Sequence, residues 1–309
     1  MHDLIIIGAG PAGLTAGLYA GRSRLHAALF EKMNIGGQII SSPSIDNFPG
    51  FPEGIATQEL IGHIKKQVDD VQVPILLEEV LEITPALEPA VHHYKVKTQE
   101  KIYEARAVII ATGAYPKKIG VEGESGLLGR GVSYCGTCDA PLFKNKDVVA
   151  VGGGDRAIEE AIYLAGYAKK VTLVHRRQEF RASKILEEKA RANHKINFML
   201  DSVVEQINGH NKVDSVRVRN VKTAQVSELP CEGVFIFIGI KPNTDFVRNF
   251  LEMNEQGFII TQPDLKSSRP GIFACGDCLE KGLYQVVCAC GEGAQAADSA
   301  YKYLLTHRV

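Results

Sequence analysis

Short apolar runs alternate along the chain with longer stretches of helical spacing, and glycine turns stand between them. Leu4-Ile5-Ile6-Ile7 leads into a glycine turn, a predicted helix from about Ala12 to Arg22, and a second apolar run, Ala27-Ala28-Leu29-Phe30. The same order recurs at Val148-Val149-Ala150-Val151, a predicted helix from about Ala157 to Gly166, and Val171-Thr172-Leu173-Val174. Strands alternating with helices predict an α/β fold built on parallel strands, with one motif used twice. Two breaks are expected. One lies near Tyr115-Pro116-Lys117-Lys118, just after Ala111-Thr112-Gly113, and the other at Lys241-Pro242-Asn243-Thr244. Beyond the second break the pattern predicts strands at Gly257–Ile260 and from Gly271 toward Asp277, then a final helix from about Gly291 to Tyr303.

Composition narrows the class. At 309 residues and 45% hydrophobic, the chain can build two domains with real cores. A formal net charge of -1 gives no broad basic surface for nucleic acid or anionic membrane. No apolar run is long enough to span a bilayer. The first strand begins three residues after Met1, which leaves no room for a targeting peptide, so a cytoplasmic protein is expected. Seven cysteines, an odd number, point to redox or metal chemistry rather than structural disulfides.

The two glycine turns carry dinucleotide fingerprints in the required context, after a strand and opening a helix. The first is Gly8-Ala9-Gly10-Pro11-Ala12-Gly13; the second runs Gly152-Gly153-Gly154-Asp155 and closes on Ala157. In such units an acidic residue about 20 positions on, at the end of the second strand, accepts the ribose hydroxyls. Glu31 stands there in the first half, whereas His175-Arg176-Arg177, with Arg181 nearby, stands there in the second. A carboxylate repels a 2′-phosphate and guanidinium groups bind one, so the first site is expected to hold FAD and the second NADPH rather than NADH.

Between the fingerprints lies Cys135-Gly136-Thr137-Cys138-Asp139. Such a pair serves in redox chemistry, as half a zinc site, or as two core residues. Zinc needs about four ligands, and no second pair lies near in sequence, so the redox reading leads. Asp139 is suited to relay a proton to or from the flavin or a departing thiolate, or else caps a helix.

Together these residues resemble the low-molecular-weight thioredoxin reductases over essentially the whole chain. The resemblance rests on Gly8–Gly13, Gly36-Gly37-Gln38, Asn47-Phe48-Pro49-Gly50, Ala111-Thr112-Gly113, Cys135–Asp139, Gly152–Ala157, His175–Arg181, Gly239–Thr244, Gly271–Asp277 and Gln285. It implies two Rossmann-like, three-layer domains, the second inserted into the first: 1–116 and 244–309 for FAD, and 117–243 for NADPH and the dithiol. It implies FAD contacts at Glu31, Gly37, Gln38, Asn47, Ala111, Thr112, Gly113, Gly276, Asp277 and Gln285. It implies NADPH contacts at Gly152, Gly154, Asp155, Ala157, His175, Arg176, Arg177 and Arg181. Cys138 would face the flavin, Cys135 would attack the disulfide of thioredoxin, and Asp139 would serve as acid and base. A homodimer is also implied, as is rotation of one domain against the other during turnover.

The chain departs from that pattern in places. Arg156 stands where serine is common, and either strengthens phosphate binding or points to solvent; Tyr284 stands where arginine or lysine is common. Cys275, Cys278, Cys288 and Cys290 replace small apolar residues. Three readings of these four are open: small buried hydrophobes, an auxiliary thiol pair near the flavin, or a metal or iron–sulfur site. Cys231 reads as core, His63, His92 and His93 as surface residues, and Arg181–Arg191 as a solvated helical face. Rival functions are a ferredoxin-fed reductase, a dithiol oxidase using oxygen or a small molecule, and a non-catalytic NADPH-binding flavoprotein.

Overall fold

A computed structural model describes residues 1–41, 44–45, 47–86 and 93–307. The chain divides into two compact units, Met1–Tyr115 with Lys241–Val309, and Pro116–Ile240.

The first unit is organised by a seven-stranded sheet. His2–Ile7 lies at its centre, parallel to Ala27–Phe30 on one side and to Ile102–Ile110 on the other. Ile75–Leu76 extends the sheet beyond Ala27–Phe30. The nine-residue strand Ile102–Ile110 changes partner along its far edge. Its first half pairs antiparallel with Tyr94–Thr98, which in turn pairs with Val80–Pro85; its last three residues pair parallel with Ile272–Ala274. Leu4, Ile5, Ile6, Val108, Ile109 and Ile110 are fully buried, as strands covered on both faces must be.

The helix Pro11–Arg22 opens with proline at its first turn, where the fixed φ suits a helix and no amide is lost. It packs against the long helix Val286–Thr306, and small residues bring the two backbones close. A Cβ added at Gly293 would lie 2.1 Å from the Ala12 carbonyl oxygen. This last helix begins at Val286, five residues before the expected Gly291. Its glycines are interior residues of a close helix pair rather than a terminus.

In the second unit a five-stranded parallel sheet runs in the order Val132–Ser133, Gly233–Phe237, Asp147–Gly152, Lys170–Val174, Ile196–Met199. The helices Asp155–Ala165 and Lys184–Ala192 connect its strands. A three-stranded antiparallel sheet, Ser202–Asn208, Ser215–Asn220 and Val226–Pro230, completes the unit. Val216 and Val218 of its middle strand are buried, whereas Arg217 and Arg219 project outward to Glu205.

Two expectations need correction. No strand forms over Gly257–Ile260; Ile259 alone makes isolated bridges, to Met253 and Leu279. Gly257 has φ +90, which turns the chain where a strand would have begun. His93 is half-buried with its Nδ1 enclosed, not a surface residue, while His63 is exposed beside Glu59; His92 lies outside the described residues. Among the described residues no helix is long and apolar enough to cross a membrane.

Candidate active site

In the first unit the turn after His2–Ile7 is shaped by close backbone approach. Gly8 takes φ +106, and a Cβ there would lie 2.4 Å from the Ala111 carbonyl oxygen; one at Gly13 would lie 1.7 Å from the Gly8 oxygen. Gly10 and Gly37 also face each other, a Cβ on Gly37 falling 3.1 Å from the Gly10 Cα. Glu31, at the end of the second strand, is fixed by two backbone amides. Ala9 N–H donates to Oε2 at 2.8 Å and Met33 N–H to Oε1 at 2.9 Å. Each oxygen keeps a lone pair for a ribose hydroxyl.

A cavity of about 340 Å³ opens here, lined by Ile7, Gly8, Phe30, Glu31 and Thr112 among others. It lies at the carboxyl ends of the central strands, where neighbouring strands leave in opposite directions and ligands of such sheets bind. Asn243 holds its far wall: its side chain donates to the Thr112 carbonyl at 2.9 Å, and Thr112 Oγ1 donates to the Asn243 carbonyl at 2.7 Å. Asn47 and Gln285 meet at 3.0 Å although 238 positions apart. Gly276 N–H donates to Glu292 Oε2 at 2.7 Å, and Lys281 joins Glu292 to Asp277, which lies 3.9 Å from it. The fold thus gathers the expected first-site residues from both ends of the chain; Gln38 is exposed on the short helical turn Gly37–Ser41. Asn243 stands out in sequence only as part of a domain break, and Glu292 and Lys281 not at all, because only tertiary pairing brings them to the first site.

The second turn repeats the backbone and changes the side chains. A Cβ at Gly152 would lie 2.5 Å from the Phe237 oxygen and 2.6 Å from the Ala157 Cβ, while Gly154 faces open space at the start of the helix Asp155–Ala165. His175 is buried beneath the turn. A Cβ at Gly153 would meet its ring at 2.1 Å, Phe180 stacks on it at 5.0 Å, and its Nε2 lies 3.1 Å from the Glu179 carbonyl. Burial, helped by the neighbouring arginines, lowers its pKa.

Arg176, Arg177 and Arg181 are instead exposed, and none has a carboxylate within ion-pair distance among the described residues. Arg181 N–H donates to the Gly153 carbonyl at 2.8 Å, and Asp155 Oδ1 accepts the Ser183 amide at 2.7 Å, which ties the arginine loop to the turn. Arg156 leans along its helix to Glu160, 3.9 Å away, a contact neither expected reading included. Unpaired guanidinium groups beside an open helix N-terminus fit a phosphorylated nucleotide.

Cys135 and Cys138 form a disulfide with Cα atoms 5.3 Å apart. Cys135 caps the short helix Gly136–Asp139: its Sγ accepts the Cys138 N–H at 3.2 Å and lies 3.4 Å from Thr137 Oγ1. Ser133, buried and missed in sequence, organises the segment. Its hydroxyl accepts the Cys135 N–H at 3.0 Å and donates to Asp139 Oδ2 at 2.6 Å.

The extra cysteines divide. Cys275 and Cys278 are fully buried, and burial pushes both thiols up, that of Cys278 to about 12. Cys231 is also buried and its thiol raised to about 12. Cys288 and Cys290 are half-buried, with Cys290 beside Pro11 and Thr15. Among the described residues no three His, Cys, Asp or Glu side chains gather closely enough to hold a metal ion.

The family model described as pyridine nucleotide-disulphide oxidoreductase matches residues 2–293. The chain is 42% identical over 310 residues to the thioredoxin reductase of Peptoclostridium litorale, covering 98% of this chain and 97% of that one. It is 43% identical over 306 residues to the thioredoxin reductase of Bacillus subtilis, covering 98% and 95%. The solved thioredoxin reductase of Streptococcus pyogenes MGAS5005 superposes with a TM-score of 0.92 at 44% identity, covering 99% of each chain.

Proposed function

Because the chain belongs to the pyridine nucleotide-disulphide oxidoreductase family, we propose that it is a thioredoxin reductase, drawing electrons from NADPH and delivering them to oxidised thioredoxin. The observation that carries this reading is the half-exposed Cys135–Cys138 disulfide, joined through Ser133 to Asp139, on the unit that also holds the second glycine turn. Met1–Tyr115 with Lys241–Val309 would bind FAD around Glu31, Thr112, Asp277 and Gln285. Pro116–Ile240 would bind NADPH between the Gly152–Ala157 turn and Arg176, Arg177 and Arg181. FAD, when bound, supplies the two-electron relay from NADPH to the disulfide.

The protein's own residues do the rest. Opening the disulfide takes two electrons and two protons and leaves two thiols. Asp139, hydrogen-bonded to Ser133, would pass a proton to or from the Cys138 sulfur. Cys135 then loses its proton, and the Cys138 amide that already points at its sulfur stabilises the thiolate. That thiolate attacks the thioredoxin disulfide to give a mixed disulfide. Cys138 displaces the reduced thioredoxin and closes the original bond. The family resemblance extends the reading to a homodimer.

Steady-state turnover tests it. NADPH oxidation is expected to depend on oxidised thioredoxin, with much lower efficiency for NADH. Equal efficiency with both nucleotides would remove the role of the arginines. Turnover with oxygen alone, unchanged by thioredoxin, would favour the oxidase reading.

A further inference from the structure

Behind the dithiol segment lies a carboxyl group that the reaction as derived does not use. Glu160 is on the helix Asp155–Ala165, and its side chain is only 10% exposed. Its Oε2 is fully enclosed and makes no hydrogen bond among the described residues. It is aimed at the middle of the motif: a Cβ added at Gly136 would lie 2.1 Å from Oε2. The residue between Cys135 and Thr137 is therefore glycine because this carboxyl group occupies the space a side chain would need.

The charged and titratable groups around Glu160 are few. Arg156, one turn earlier, is 3.9 Å from Oε1 and favours the carboxylate. The backbone amides of Gly136 and Thr137 also favour the carboxylate; Glu159 opposes, and Tyr163 lies near on the same helix. From the packed segment come Cys135, Cys138 and Asp139. Burial is the largest influence and raises the Glu160 pKa from its ordinary value.

We propose that Glu160 is a positioning residue for the dithiol: packed against Gly136, it fixes the Gly136–Thr137 backbone, and through its own ionisation it sets the pH at which the reduced Cys135 thiol gives up its proton. This rests on the reading of Cys135–Cys138 as the working disulfide. A neutral side chain at Glu160 leaves the thiolate at Cys135 opposed by no charge from this position, whereas an ionised Glu160 puts a second negative charge across one glycine from it. The two groups then titrate as a coupled pair. The proton leaving Cys135 goes to solvent, and where Glu160 is ionised its charge holds back that loss until higher pH.

The test uses FAD-loaded protein reduced with dithiothreitol, freed of reductant under argon and alkylated with iodoacetamide across neutral and mildly alkaline pH. Modification of Cys135 is read by fragment mass spectrometry. For Glu160→Gln, which keeps size and polarity but cannot ionise, the profile is expected to shift to lower pH, with alkylation at neutral pH at least about threefold faster. A profile superimposable on wild type would overturn the proposal, since a purely structural role predicts no shift.

Should Glu160→Gln fail to fold, Glu160→Met, which also cannot ionise, is read in the same way: a shift of the profile to lower pH is expected, and an unchanged profile overturns the proposal. Chemical reduction separates this outcome from the functional reading. If NADPH exposes no thiols while the Glu160→Gln shift is present, the reductase reading fails and the coupling stands.

Discussion

The chain contains the same four-residue frame twice, Cys135-Gly136-Thr137-Cys138 and Cys275-Gly276-Asp277-Cys278. In both, the first cysteine caps a short helical turn and the glycine is required by a close neighbour. A Cβ at Gly136 would strike Glu160, and one at Gly276, where φ is +76, would come within 2.9 Å of the Ala12 Cβ. The sulfurs nevertheless meet opposite surroundings. Cys135 Sγ receives an amide N–H and lies beside a hydroxyl, in a half-exposed disulfide. Cys278 Sγ is fully buried, 3.2 Å from the Cys275 carbonyl and 3.5 Å from that of Ile110. Donors stabilise a thiolate and carbonyl oxygens repel one, so the first pair is equipped to attack and the second to stay protonated. Spacing selects candidates for redox work; exposure and the polarity of the first neighbours decide among them.

The largest effect expected from this contrast is on turnover. Cys135→Ser or Cys138→Ser should lower thioredoxin reduction by on the order of a thousandfold or more, because removing one member of a unit disables it. Cys275→Ala and Cys278→Ala should stay within about twofold, and a comparable loss for either would break the comparison. Next in size is reactivity. In native, chemically reduced protein at mildly alkaline pH, iodoacetamide should modify Cys135 roughly a thousandfold faster than Cys278, the gap closing in denaturant. Mass spectrometry of labelled peptides measures it directly.

Donor binding should be separable from thiol chemistry. Arg176→Ala with Arg177→Ala should cost about 1.5–3 kcal/mol, or roughly 10- to 150-fold in kcat/KM for NADPH, through lost charged hydrogen bonds. Efficiency with NADH and alkylation of Cys135 should not change. Smallest is the stability contribution of the buried pair. Cys278→Ala should cost about 1 kcal/mol as a small cavity, and Cys278→Ser about 1–3 kcal/mol because a hydroxyl replaces the thiol in an apolar site. Denaturant unfolding checks both.

That site also fixes a pH dependence. The Cys278 thiol rises from 9.0 to about 12 on folding, so its contribution is intact below about pH 9 and is lost as pH rises toward 12, where the unfolded chain ionises first. Cys278→Ala should flatten that limb of the stability profile.

The order of parts was readable from sequence because local signals agreed. The strand expected at Leu4–Ile7 is His2–Ile7, the helix expected from about Ala12 to Arg22 is Pro11–Arg22, and the run Val148–Val151 sits within Asp147–Gly152. Where tertiary contact overrides a local cue, the reading slipped. Gly291 and Gly293 looked like a helix start, yet lie inside Val286–Thr306, where Gly293 lets the Ala12 backbone approach. The antiparallel strands 202–230 gave no signal as distinct as the glycine turns.

At the site, the glycines, Glu31, the arginines and the dithiol announced themselves by spacing. Ser133, Glu160, Asn243 and Glu292 did not. Each acts through a partner that only folding brings near: Asp139, Gly136, Thr112 and Gly276 respectively. His175 was grouped with the arginines by position in the chain, whereas its ring packs under Gly153. Sequence marks the end of that strand and does not say which way each side chain turns.

The most direct test of the central claim follows flavin absorbance anaerobically, adding NADPH and then an oxidised thioredoxin. Bleaching by NADPH and recovery on adding thioredoxin are predicted, with recovery lost in Cys135→Ser and retained in Cys278→Ala. Absence of bleaching, or recovery that survives Cys135→Ser, would contradict the account.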